Sequence, residues 1–199
     1  QDQNVSPMAR AQSANKNLHA WPHRRPLLYR IFMPDASPAA IAVALPHGVS
    51  YCWDAGTCHL RYAWIGGFVD PMPVWKANGN GLAKIIGTRF WTGSKDFPFH
   101  KKTPSDFKPQ FQGYRKIDGH PEFHYTIGDI DIYERITALP SGMGLTRHFR
   151  IPGITYPLRI TIASKNTKVS KGKINQGVAT LTSDEAQSFT ITHHHAHGK

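Results

Sequence analysis

The sequence predicts an all-β domain: an antiparallel β-sandwich of about 10–12 short strands, preceded by a polar N-terminal arm. Three observations carry that expectation. From Pro26 onward, short apolar segments are punctuated by Gly, Pro, Asn and Asp, the rhythm of strands joined by tight turns. Several segments also alternate with period two. Ile130, Ile132, Glu134 and Ile136 share one face, as do Leu145, Arg147, Phe149 and Ile151, and likewise Leu158, Ile160 and Ile162, which places one side of each strand inward. Finally, 199 residues with 40% apolar and 19% charged side chains suit one globular core. No run approaches the roughly 18 consecutive apolar residues of a membrane helix.

Residues 1–25 are polar and poor in β-branched side chains. Ser6-Pro7 offers an N-cap followed by a proline tolerated at the first helical position, so a short helix or arm is expected there. The sandwich is expected over residues 26–192, with strands near 27–33, 39–45, 49–53, 58–65, 84–91, 112–117, 122–127, 130–138, 144–151, 157–163, 177–181 and 188–192. A His-rich tail, 193–199, follows. Two irregular stretches interrupt the rhythm, the more basic one at 92–110. The other, 66–81, combines Gly-Gly, two prolines, two aromatics and Asn-Gly-Asn-Gly. Such a segment is either a binding loop or an aromatic-stapled Ω-loop that closes the sandwich. Trp64, Phe68, Asp70 and Trp75 are its candidate ligand or partner positions. Trp75 is the better exposed platform for a carbohydrate ring, whereas Trp64 shares a strand face with Leu60 and Tyr62, a placement that suits core packing.

Cys52 and Cys58 flank Trp53-Asp54-Ala55-Gly56-Thr57. A three-residue hairpin loop with glycine in the left-handed position would close on Trp53 and Thr57 and set the two cysteines opposite each other, within disulfide reach. The alternative is two reduced thiols packed as small hydrophobes. A bridge implies an oxidising compartment, periplasmic or extracellular. The start at Gln1, with no basic or apolar leader after it, fits a mature chain after signal-peptide removal.

The charge is +11, from 24 Lys and Arg against 13 Asp and Glu. Such a surface favours an acidic partner and a salt-sensitive association. The basic residues are dispersed apart from Lys165, Lys168, Lys171 and Lys173, and no nucleic-acid module is present, so a nucleic-acid partner is disfavoured.

The tail holds alternating His193, His195 and His197, which a continuing strand would project from one face. That pattern suits copper or zinc, given a fourth ligand from elsewhere. Catalytic signatures are thin. There is no nucleophile elbow, phosphate loop or dinucleotide fingerprint. Among the carboxylates, Asp54 and Asp118 belong to expected turns, and Glu134 inward beside Arg147 reads as a buried ion pair. No catalytic residue is assigned.

The run Gly48-Val49-Ser50-Tyr51-Cys52-Trp53-Asp54-Ala55, then Leu60 to Asp70 and Pro73-Val74-Trp75, with Phe123 to Gly128 and Gly144 to Arg150 further on, resembles an uncharacterised domain of exported bacterial proteins that often occurs with c-type cytochrome modules. Cys-x-x-Cys-His is absent, so covalent haem attachment is excluded. The resemblance implies an envelope protein working beside an electron-transfer assembly. The expected function is therefore a non-catalytic periplasmic or extracellular accessory subunit that docks on an acidic protein or a larger membrane-associated redox complex containing cytochrome. A carbohydrate-binding module and a metal-binding protein using the tail histidines are the competing expectations.

Overall fold

Short apolar segments joined by tight turns can pair only antiparallel, because a parallel neighbour needs a crossover of a dozen residues or more. The computed structural model describes residues 19–77, 80–162 and 164–196, and every strand pairing within them is antiparallel. The chain first lays down β1 (Leu27–Arg30), β2 (Ala40–Ala44), β3 (Val49–Asp54) and β4 (His59–Ile65), each paired with the next. β5 (Val69–Asp70) and β6 (Lys84–Ile85) pair with each other, and β7 (Thr88–Thr92) returns to β4. The second half adds β8 (Phe99–His100), β9 (Gln110–Ile117), β10 (His120–Ile127), β11 (Ile130–Ala138), β12 (Gly144–Arg150), β13 (Leu158–Thr161), β14 (Thr167–Val169), β15 (Lys173–Asn175), β16 (Val178–Leu181) and β17 (Ser188–His194). These build a six-stranded sheet, β14-β17-β12-β11-β10-β9, and a four-stranded sheet, β15-β16-β13-β8.

The result is the all-β sandwich expected, with more strands than expected. The extra ones, β5, β6, β8, β14 and β15, have two or three residues each, too few to show a period. The expected strand at 84–91 is broken at Gly87. Its φ is +130°, and a Cβ there would lie 2.1 Å from the Ile65 carbonyl oxygen, so only glycine allows the chain to pass this close.

Between the sheets, Trp53 of β3 lies parallel to Phe123 of β10 with ring centroids 4.1 Å apart. Ile132, Ile136, Phe149, Ile160 and Ile191 are buried in the same cluster. The first sheet carries a second cluster on its other face: Ala40, Ala42, Ala44, Cys52, Tyr62 and Trp64 pack against Phe68, Val69 and Ala83. Every residue of β2 and β3 is accordingly buried. The stretch that follows β4 is thus a packed cover over the sheet rather than a loop at the end of the sandwich. It is tied down by bonds from Phe68 N to Ala20 O (2.6 Å), Ala83 N to Phe32 O (2.8 Å) and Ile86 N to Phe68 O (3.0 Å).

Two expectations fail in the β3–β4 hairpin. The β3–β4 pairing shifts register between Cys52 and Trp53, leaving Arg61 as an extra residue on β4. A bulge of this kind reverses which face the following side chains take. Leu60 therefore faces the sandwich core while Tyr62 and Trp64 face the second cluster, so the three do not share a face. The hairpin itself closes on Asp54 and His59 rather than on Trp53 and Thr57, with a four-residue turn. The Asp54 carboxylate shapes this longer turn by accepting bonds from the Ser37 N–H (2.7 Å) and the Gly56 N–H (2.8 Å). Burial alone would raise that carboxyl, but the bonds from Ser37 and Gly56 outweigh it and hold it below its ordinary range. Cys52 then pairs with Tyr62, and Cys58 sits in the turn at φ +55°.

The disulfide is consequently absent. Both cysteines are free and buried, Cys52 in the outer cluster and Cys58 in the inner one. Burial pushes both thiols up to about 12, so each packs as a small hydrophobe, the alternative that the spacing left open. At the outer edges of the second and third sheets, Lys168 of β14 and Lys173 of β15 are exposed. Their charge discourages further strand pairing there, which accounts for much of the one local lysine cluster.

Candidate binding site

The alternation along β11 and β12 points Glu134 and Arg147 inward, and there they meet. The Arg147 Nε–H donates to Glu134 Oε1 at 2.6 Å, with side-chain exposures of 4% and 0%. Glu134 Oε2 accepts from Trp53 Nε1 at 3.2 Å and from the Tyr125 hydroxyl at 3.3 Å. Burial first, and then the negative charge of Glu134, push the Tyr51 and Tyr125 phenols well above their ordinary range. With a cation and two neutral donors around it, this carboxylate is sealed and serves as a structural pair, as its inward position beside Arg147 suggested.

Arg147 has more donors than Glu134 uses. Its Nη2 is buried without a hydrogen-bond partner, and so are Trp91 Nε1 and His193 Nε2. All three residues line one cavity between the sheets, of about 20 Å3, together with His59, Thr167 and Ile191. That exceeds the roughly 10–15 Å3 that one water requires. The ring of His193 lies on Trp91 with centroids 4.1 Å apart, and its Nδ1 is 2.9 Å from the Thr167 hydroxyl. If that hydroxyl donates to Nδ1, Nε2 carries the proton. Three N–H groups of residues that line the cavity then have no protein acceptor. Each unmet buried donor costs on the order of 1–3 kcal/mol, so the arrangement is that of a site for a guest that accepts hydrogen bonds.

Two histidines at this cavity are held neutral. Burial lowers the His193 pKa well below its ordinary value, with Arg147 and then His194 adding to the effect. Burial also lowers that of His59, against two backbone carbonyls, Thr57 O at 3.0 Å from Nδ1 and Ser94 O at 3.2 Å from Nε2. A neutral imidazole donates to only one of those carbonyls. In the unfolded chain both histidines take up a proton below about pH 6.5, while the folded chain resists it. The unfolded state then binds more protons, and stability falls as the pH drops from 6.5 towards the lowered values. Unfolding free energies from urea titrations between neutral pH and about pH 5 are expected to decline by up to about 1.4 kcal/mol per pH unit for each histidine. The decline should be shallower in His193→Leu. A profile that is flat across this window would show that neither imidazole is held neutral by the fold.

The other candidate residues lie elsewhere. Trp64 and Phe68 are fully buried, with rings 6.1 Å apart and the Trp64 indole N–H donating to Gly67 O and Phe68 O, so neither meets a partner. Asp70 Oδ1 accepts from Met72 N at 3.0 Å, at the start of the short helix Met72–Lys76. Trp75 sits in that helix, half-buried. Its indole nitrogen donates to the Tyr29 hydroxyl at 3.2 Å and its ring meets His19 edge-on. It anchors the cover and offers no open platform for a sugar.

Of the three tail histidines, His193 and His195 are among the described residues, and they pack against different partners. β17 continues through His194, and His193 faces inward behind Phe189 and Ile191, as the alternation implied. Its two nitrogens serve Thr167 and the cavity, so neither reaches towards the tail. His195 packs instead near Phe90, with centroids 5.8 Å apart, and His197 lies outside the described residues. Among the described residues, no three His, Cys, Asp or Glu side chains could hold a metal ion together.

Of the other carboxylates, Glu122 accepts from Arg115 at 2.9 Å and lies 3.6 Å from Arg150, and Asp131 holds His124 at 2.6 Å. The sequence pointed to His193 and Arg147 through their alternation with apolar neighbours. Nothing local marked Trp91, Thr167 or His59, because they come from β7, β14 and β4 and meet only when the sheets pack. No family model, no curated protein and no solved structure matches this chain.

Proposed function

We propose that this chain is a non-catalytic binding subunit of a cell-envelope assembly, docked through its positive surface on an acidic protein partner. The observation that carries this reading is how unevenly its charges are used within the fold. Most carboxylates among the described residues are committed internally: Asp35 to Arg89, Glu122 to Arg115, Asp131 to His124 and Glu134 to Arg147. Asp54 and Glu185 are held in local turns and caps. The ion pairs among the described residues are made by arginine and histidine, while Lys76, Lys84, Lys95, Lys116, Lys165, Lys168, Lys171 and Lys173 are all exposed. A net charge of +11 therefore stands mostly on free lysines, a field that steers an acidic partner inward at low salt.

The envelope setting, periplasmic or extracellular, and the company of a cytochrome-containing electron-transfer complex rest on the motif resemblance alone. The two buried thiols lend them no support. Purification of the chain from its native membranes at low ionic strength tests the proposal. A partner that co-elutes and is released as salt rises is the expected result. Elution as a free monomer at low ionic strength would overturn it.

A further inference from the structure

We propose that the cavity bounded by Arg147, Trp91 and His193 binds a small monovalent anion. These three residues are at least nine-tenths buried, with exposures of 4%, 7% and 2%, and each has a buried nitrogen without a hydrogen-bond partner. Arg147 and Trp91 can only donate, so the guest must accept. A cation would meet the guanidinium, and an apolar guest would leave every donor unmet. A cavity of about 20 Å3 also excludes a sugar ring, a nucleotide or a peptide side chain of any length.

Water and an anion remain, and the donor count separates them. A water accepts two hydrogen bonds and must place two hydrogens of its own. Here the two fixed donors Arg147 and Trp91 line the cavity, with His193 Nε2 as the third when the Thr167 hydroxyl donates to Nδ1, and Leu60, Ile160 and Ile191 supply apolar wall. A small anion accepts from all three and has nothing to donate. Glu134 already neutralises Arg147, so the anion is held by the unmet donors and not by a net positive charge. Glu134 holds the Nε side of Arg147, leaving Nη2 for the guest. Among the titratable groups, His59 lines the cavity with His193, and Glu134 stands behind Arg147. The +11 surface raises the local concentration of anions around the entrance. This inference is independent of the docking proposal, since it concerns the interior and needs no partner.

The test is a titration of the full 15N-labelled chain with chloride, nitrate and formate at constant ionic strength, with sulfate as the divalent counterpart. It is followed at the Trp91 indole N–H, whose resonance is identified by its loss in Trp91→Phe. A saturable shift with the small monovalent anions is expected, with sulfate giving none. Affinity should fall at least about tenfold in His193→Leu and in Arg147→Lys, the change for one lost buried donor. Arg147→Lys keeps the charge that Glu134 requires, and His193→Leu stands as the test should that variant not fold. No saturable shift, an equal response to sulfate, or unchanged affinity in His193→Leu would each overturn the site.

Discussion

Arg147→Met is expected to lower the unfolding free energy by about 3–5 kcal/mol, because it leaves the Glu134 carboxylate in the core without its cation. Only Trp53 Nε1 and the Tyr125 hydroxyl would still face that carboxylate, at 3.2 Å and 3.3 Å, and two neutral donors do not replace a charge. Glu134→Leu should be comparably costly, since it strands the guanidinium instead. The double variant decides what the pair is for. With both charges gone, the residual cost comes from the Trp53 and Tyr125 donors, about 1–3 kcal/mol each. The double variant should therefore be more stable than the sum of the single changes implies. Denaturant unfolding of the four proteins in the cycle measures this coupling. Single effects that simply add would mean that the two groups do not depend on each other.

Trp64→Ala is expected to cost about 3–5 kcal/mol, the loss for truncating a fully buried large aromatic side chain. The indole lies between Tyr62 and Phe68, and its N–H holds Gly67 O and Phe68 O. The damage should be local before it is global. The amides of Phe68, Ala83 and Ile86, which bond the cover to Ala20, Phe32 and Phe68, should lose hydrogen-exchange protection well ahead of the β10–β12 core. Trp75→Ala, at a half-buried position with one indole bond to Tyr29, should cost clearly less. A Trp64→Ala protein as stable as the parent would return this residue to the surface and to a role in partner contact.

The acid sensitivity expected of His193 and the interior pair are both consequences of one design: polar side chains at alternating positions of otherwise apolar strands. In β17 and β12 that alternation is written in consecutive residues. Phe189 and Ile191 carry His193 inward, and Leu145 and Phe149 carry Arg147 inward. Period two survives any tertiary arrangement that buries one face of the strand, so the inward histidine, the inward arginine and the Glu134–Arg147 pair could be read before the sheets were assembled. The sandwich class was legible for the same reason, with the β11 boundaries matching at Ile130 and Ala138.

What the tertiary structure alone decided depends on register and on contacts between distant strands. One extra residue, Arg61, moves Tyr62 and Trp64 to the other face, because a single-residue slip in a period of two reverses every later side chain, and the closure of the hairpin on Asp54 and His59 separates Cys52 from Cys58. The second apolar cluster was hidden because β2 and β3 are buried on both faces, which removes the polar alternation that would have announced a covering segment. The cavity was hidden most completely. Trp91, Thr167 and His193 lie on three strands that are far apart in sequence, and no local pattern records which donors a folded interior will leave without acceptors.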